Sequence, residues 1–496
     1  MKKVSLILVA VLMGVSLNSA HAQLGKVLNK AKEAVQPSSS TETAKPTTTT
    51  TSQQPQISSP VGGGKSLGAS ELPNGPKVYV NVATGSNRND GSKGSPLKDL
   101  QTAVDNAPEG AVICIAEGNY LGKLDQGYID IKKYVSLVGG FSSDFSQRDP
   151  VKYRTTIQPF PEQNWTNAVK GYLEIYVRGK RDALILIDGL ALDMGLQNRY
   201  CLPNPKEELA GTPEGCDMGR MLILDESPKV PTTEGSPHAH QLIHGDVEGK
   251  VIIRNCLLAN SYHFGIQMGN IGGNWEIYNN VFVSNRMASC EVRSMNKTPG
   301  QATVDFHHNT VLFTWCRTKH MEDMGYGFRF MTGINAEVHH NIFGCSNLGA
   351  LDRSYVDSDK NLEAQRKTSA YNNLFFMNKA DLVLPSGGGG WLMVAAKNFE
   401  DVNQLVKYEG NREMEDNAKF LAAIDEPYLR GFASITAMSS SSFDRNSAAN
   451  TYRAAHGMNM QGSEIHRVSM YGNRYRLDKA FDLFGAMDGY GAQIVK

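Results

Sequence analysis

Ile252-Ile253-Arg254-Asn255-Cys256-Leu257, Ile277-Tyr278-Asn279-Asn280-Val281-Phe282, Phe306-His307-His308-Asn309-Thr310-Val311, Val338-His339-His340-Asn341-Ile342-Phe343 and Ala370-Tyr371-Asn372-Asn373-Leu374-Phe375 share one form: an apolar residue, two variable ones, asparagine, one variable residue, and a second apolar one. Their asparagines, Asn255, Asn280, Asn309, Asn341 and Asn373, recur after 25, 29, 32 and 32 residues. A structural unit of fixed core and variable loops gives such spacing. Asparagine tolerates the left-handed conformation of a sharp bend, and its amide can bond to the amide of the next coil. The pattern therefore predicts stacked β-coils with an asparagine at each corner. An earlier stretch, Leu184 to Leu192, repeats the form with Asp188-Gly189 at its bend.

Composition agrees with a β-rich reading. The 496 residues are 41% hydrophobic and 20% charged, enough apolar material for a sizeable core, and 48 glycines against 20 prolines favour turns over a helical bundle. Fifty basic and fifty acidic residues cancel, which removes the electrostatic footprint of a nucleic-acid or anionic-membrane binder. Lys2, Lys3, the apolar run from Val4 to Val15 and Ala20-His21-Ala22 read as a secretory signal over residues 1–22, too short to span a bilayer. The expected location is the periplasm or the cell exterior of a bacterium. Residues 23–76 form a Ser/Thr/Pro/Gln-rich leader that cannot bury enough apolar surface to offset chain entropy. Cys201 and Cys216 bracket a loop that a disulfide could staple, whereas Cys114, Cys256, Cys290, Cys316 and Cys345 sit in or beside apolar strands as small buried hydrophobes.

Order begins at Val78-Tyr79-Val80. Ser95-Pro96 reads as the N-cap and first turn of a helix bearing Leu97, Leu100, Val104 and Ala107. Thr84-Gly85-Ser86-Asn87-Arg88-Asn89-Asp90-Gly91, Pro96-Leu97, Ala116-Glu117-Gly118-Asn119-Tyr120, Gly139-Gly140-Phe141 and Gln147-Arg148-Asp149-Pro150 follow in turn. Together they resemble the opening of secreted right-handed parallel β-helix proteins of the pectate-lyase-like superfamily. The resemblance spans about residues 78–395 and implies an all-β, right-handed parallel β-helix solenoid with an N-terminal helical cap. The solenoid is expected over 77–396, with a mixed, irregular C-terminal capping region over 397–496. There Asn398 caps an expected helix with Phe399, Val402, Leu405 and Val406 on one face, and a second helix near Leu477, Phe481 and Phe484 stops at Gly485.

The resemblance also implies that a polysaccharide groove, where the protein is a lyase, lies on the strand that opens each coil. Those strands fall near Phe264 to Met268, Cys290 to Ser294, Gly327 to Met331 and Ala350 to Arg353. Alternation puts Ile266, Met268, Val292, Phe328 and Phe330 inside, and Gln267, Glu291, Arg293 and Arg329 outside. The loop before the third strand adds Arg317, Lys319, His320, Glu322 and Asp323. Cleavage of a uronate polysaccharide by β-elimination needs a neutralised carboxylate, a base for the C5 proton and a proton for the leaving oxygen. Arginine clamps carboxylates, so Arg293 and Arg329 are the candidate uronate ligands, with Lys319 or His320 as base. Arg317, Gln267 and His263 are further candidate substrate contacts. Glu291, Glu322, Asp323 and Asp352 could hold calcium, which prefers carboxylate oxygens.

Other readings stand beside this one. Glu291, Arg293 and Arg329 could form a cross-rung salt bridge on a solvated face, and the sheet could bind glycan or a partner without catalysis. Glu291 with Asp352 or Glu322 could also be the acid pair of a glycoside hydrolase. The Arg-x-Pro-x-x-Arg and Trp-Ile-Asp-His signatures of pectate lyases are absent, as are the Asp-Asp and Gly-His-Gly signatures of polygalacturonases. The resemblance is thus specific for fold and unspecific for activity. Two further clusters stand out. Glu276, Asp305 and Glu337 fall at equivalent outward positions, each followed two residues on by Tyr278, His307 or His339, and imidazolium pairing is the simplest relief of their repulsion. His308 and His340, beside the bend, are expected in the corner ladder. His238, His240, His244 and Asp246 fall in what reads as a loop and offer a weaker metal set.

Overall fold

Lys250–Arg254 and Leu257–Ala259 are strands joined by a two-residue bend, and the later repeats fold the same way. The computed structural model describes residues 71–123, 128–158, 169–194, 239–261, 263–315, 324–386, 390–414, 417–435, 446, 448–458 and 475–495. The signal, most of the leader, Cys201, Cys216, Cys316, His238 and the loop bearing Arg317, Lys319, His320, Glu322 and Asp323 lie outside them. Each coil contributes one strand to each of three parallel sheets, so the chain is an all-β parallel β-helix. The opening sheet carries Val169–Val177, Ala239–Glu248, the first half of Phe264–Tyr278, Ala288–Ser294, Tyr326–Met331 and Gly349–Asp352 in succession. The second sheet leads into the asparagine corner, and the third leaves it.

Inward residues of all three sheets fill one apolar column, in which Phe306 stacks on Phe328 with ring centroids 4.3 Å apart. Burying each such phenylalanine contributes roughly 1.5–3 kcal/mol. Cys114, Cys256, Cys290 and Cys345 are buried free thiols, as small hydrophobes in or beside strands should be.

The corner uses two residues where the sequence pattern names one. Asn279, His308, His340 and Asn372 take the left-handed conformation, with φ of 54°, 50°, 55° and 50°. The next residue in each coil builds the ladder: the Nδ2 of Asn280 donates to Asn309 Oδ1 at 3.0 Å, Asn309 to Asn341 at 3.2 Å, and Asn341 to Asn373 at 2.9 Å. Each amide oxygen also accepts a backbone N–H, and each amide nitrogen also donates to a carbonyl of an adjacent coil. Asn255 is the correction: Leu257 pairs with Val281, so Asn255 stands in the left-handed row with Asn279 and Cys256 takes the ladder position. His308 and His340 belong to that same left-handed row and stack ring on ring instead of joining the amides. The ladder ends on Asn411, which accepts from Asn373 Nδ2 at 3.0 Å.

The first helix begins later than Ser95-Pro96 suggests. It spans Leu100–Asn106, and Asp99 caps it by accepting from the Thr102 N–H. Leu97 instead hydrogen-bonds to Tyr79 and bridges to Val80. Near Asn398 there is only a 3-10 turn, Ala396–Asp401, whose Phe399 packs on Phe375, while Val406 is exposed. Further on, Ala418–Ala423, Glu426–Ile435, Ala448–Ala455 and Leu477–Phe481 are helices. Phe420, Tyr428, Phe432 and Phe481 share a second apolar cluster with Leu257, Val281, Leu312, Ile342 and Leu374, so these helices cover the outer face of the third sheet. The outer face of the opening sheet keeps its polar side chains.

Candidate functional site

Outward side chains of the opening sheet stand in two rows, one residue per rung about 4.8 Å apart. The first row runs Glu174, His244, Gln267, Glu291, Arg329, Asp352. The second runs Tyr176, Asp246, Gly269, Arg293, Met331. Alternation holds throughout: Ile266, Met268, Val292, Phe328 and Phe330 are buried, each at most 1% exposed.

The first row is a chain of paired groups. Gln241 Nε2 donates to Gln267 Oε1 at 2.7 Å, and Gln267 Nε2 donates to Glu291 Oε1 at 2.9 Å. Arg329 then lies between two buried carboxylates, its Nη1 at 3.4 Å from Glu291 Oε2 and its Nε at 2.7 Å from Asp352 Oδ2. The second contact is ionic, without hydrogen-bond alignment. Asp352 Oδ1 accepts from the N–H and hydroxyl of Ser354. Four of the expected site residues, Gln267, Glu291, Arg329 and Asp352, therefore meet, but Arg329 is engaged by both Glu291 and Asp352 and leaves little charge to offer a ligand. A calcium ion on these two carboxylates would have to displace Arg329, and no group of three or more metal-ligating side chains converges among the described residues. The two groups do not fit a cation as they stand.

Arg293, in the second row, is different. It makes no ion pair among the described residues, and its buried Nε has no hydrogen-bond partner there. The rung beside it holds Gly269, and a Cβ at that position would lie 2.3 Å from Asp246 Oδ1 and 2.7 Å from Met295 Cγ. Glycine thus lets the Asp246 carboxylate lean into the gap between Tyr176 and Arg293. Asp246 also lies 3.6 Å from exposed Arg178. His263 sits at the turn ahead of its strand, edge-on to Phe264.

His244 and Asp246 lie on the ten-residue strand Ala239–Glu248 and not in a loop. Tyr176 OH is 2.9 Å from His244 Nδ1, and Glu174 Oε2 is 3.5 Å from the same nitrogen. Burial, followed by the charges of Glu174 and Asp246, pushes the Tyr176 phenol up to about 12, with Arg293 pulling the other way. Glu174 and Tyr176 are the residues that sequence reading missed. Their signal was there: Leu173-Glu174-Ile175-Tyr176-Val177 alternates apolar and polar at period two, the mark of a half-buried strand.

On the second sheet, Glu276, Asp305 and Glu337 share a row, and Tyr278, His307, His339 and Tyr371 form a continuous ring stack at 4.8–5.0 Å. His339 Nε2 meets Asp305 Oδ1 at 3.1 Å. Burial lowers His307 to about 4 and His308 to about 3, so these rings are neutral at pH 7. The imidazole–carboxylate contact is present, but the rings beside it are uncharged.

No helix among the described residues is long and apolar enough to cross a membrane. No family model matches the sequence, and no curated protein matches it. Among solved structures the chain is similar to a pectin methylesterase variant in complex with a hexasaccharide, at 12% identity and a TM-score of 0.26, covering 70% of this chain and 94% of that one. It is similar to a polygalacturonase from Erwinia carotovora ssp. carotovora at 10% identity and a TM-score of 0.26, covering 70% and 96%. A rhamnogalacturonan lyase matches at 12% identity and a TM-score of 0.26, covering 72% and 92%. At that level of likeness these matches carry no argument about activity, and the β-helix assignment rests on the strand pairing of the chain itself.

Proposed function

We propose that the chain is an exported carbohydrate-active protein that binds acidic polysaccharide along the outward rows of the opening sheet and cleaves it at uronate by β-elimination. The observation that carries this reading is Arg293, a guanidinium without an ion-pair partner among the described residues, on a face whose other arginine, Arg329, is shared between Glu291 and Asp352. A sugar carboxylate is the ligand that such a fork takes in two parallel hydrogen bonds. Neutralising that carboxylate is also the first requirement for removing the C5 proton. Arg329 stands in the neighbouring row, where it is shared between the carboxylates of Glu291 and Asp352. Export is supported by the basic, apolar and small-x-small pattern of residues 1–22.

The test is absorbance near 235 nm while the mature chain is incubated separately with pectate, alginate and glycosaminoglycans, with and without calcium. A rise reports the unsaturated uronate and names the substrate class. No rise from folded protein on any of them overturns the lyase reading. Retained binding to a polyuronate in that case would leave a non-catalytic glycan-binding sheet, the reading favoured by an Arg329 already engaged with Glu291 and Asp352.

A further inference from the structure

We infer that Tyr176 and His244 are the proton-transfer pair of this sheet, with Tyr176 as the group that touches substrate. The inference rests on the β-elimination reading above and supplies what that reading leaves open, the base and acid among the described residues. Four observations converge. Tyr176 projects outward from Val169–Val177 and is 38% exposed, so a bound chain can reach it. Its hydroxyl is within hydrogen-bond distance of His244 Nδ1, at 2.9 Å, while the His244 ring is nearly buried. Glu174 stands 3.5 Å from that nitrogen and can hold a proton placed there. The row of Tyr176 leads across the Gly269 gap to Arg293, whose charge the phenol feels. A uronate chain laid along this row would meet the Arg293 cation at one end and the Tyr176 phenol at the other, with Asp246 and Gly269 between them.

The proton inventory closes without another reactant. His244 Nδ1 takes the Tyr176 hydroxyl proton, and Glu174 stabilises the imidazolium. The phenolate removes the C5 proton of the uronate, and the C5–H electron pair becomes the C4–C5 double bond as the C4–O bond breaks. The leaving oxygen takes the proton now on Tyr176, and His244 returns its own to the phenol. His244 acts through Tyr176 and is a positioning and proton-holding residue, and Arg293 neutralises the carboxylate.

The experiment compares the wild-type full mature chain with Tyr176→Phe and His244→Gln on whichever polyuronate gives the 235 nm product. Both variants keep ring or side-chain volume, and unchanged thermal unfolding confirms that the sheet is intact. The expected result is a kcat loss of at least about 100-fold for Tyr176→Phe, with KM within threefold of wild type. His244→Gln loses kcat in the same way and recovers part of it with added imidazole. An active wild type whose Tyr176→Phe variant keeps kcat within threefold overturns this assignment and leaves the lyase reading standing. A wild type without unsaturated product on any polyuronate overturns both.

Discussion

Arg329 and Arg293 stand one row apart on the same face, and their surroundings give them different work. Removing Arg329 would leave Glu291 and Asp352, both nearly buried, without their shared cation. Arg329→Met should therefore destabilise the chain by about 3–5 kcal/mol, as breaking a buried ion pair does, seen as a lowered denaturation midpoint. Arg293→Met should shift that midpoint by no more than about 0.5 kcal/mol, since it breaks no pair. The corner asparagines carry a comparable load. Asn341→Ala removes the acceptor for the Asn309 N–H and Nδ2 and the donor to Asn373 and Phe306, all in the interior. A loss of about 3 kcal/mol is expected from stranded buried groups, measured by denaturant titration. At this scale the sequence was legible in part. Alternation alone placed Gln267, Glu291, Arg293 and Arg329 outside. It could not say which arginine is paired, because that depends on Asp352, two rungs from Glu291 along the sheet. Asn255 was misplaced by one residue for the same reason, since a bend of two polar residues reads alike in either register until its partner coil is known.

Among elements, the histidine corner has the clearest pH signature. His307, His308 and His340 stack with His339, Tyr278, Tyr371 and Tyr490, with Asp305 and Lys407 as the nearest charges and Arg412 over Tyr490. Burial depresses His307, His308 and His340 below their unfolded value near 6.5. The unfolded chain therefore binds protons that the folded corner refuses. Stability is fully present above about pH 6.5 and is lost as pH falls towards 4. The midpoint of thermal unfolding should drop across that window, and the His307→Phe/His308→Phe double variant should flatten the drop. The C-terminal segment is tied to this corner through Gly491 N–H to His340 O at 2.8 Å and Gln493 N–H to Asn279 Oδ1 at 2.6 Å. None of that was readable from periodicity. Helix starts were equally elusive: Ser95-Pro96 and Asp99 are both good capping signals, and pairing of Leu97 with the first strand decided between them.

For the whole molecule, a β-helix buries one column and leaves three outer faces, and this chain treats them unequally. The third sheet is covered by helices, with Tyr428 at the contact: its hydroxyl accepts from Trp315 Nε1 at 2.8 Å and pairs with Ser284 Oγ at 2.5 Å. Tyr428→Phe should lower stability by about 1–3 kcal/mol without touching the opening sheet. The solenoid was legible because its unit repeats, so five weak signals reinforce one another. The covering helices repeat nothing, and their apolar faces answer to a sheet that lies far away in sequence. The opening sheet keeps its outer face polar, and among the described residues its Arg293 has no ion-pair partner. The most direct test of that claim is the affinity of the mature chain, wild type against Arg293→Ala, for a polyuronate and for a neutral glycan of matched length, by isothermal titration. The account predicts that the wild type prefers the polyuronate and that Arg293→Ala loses at least tenfold in that affinity with its folding midpoint unchanged. Equal affinity of the two proteins for the polyuronate would contradict it.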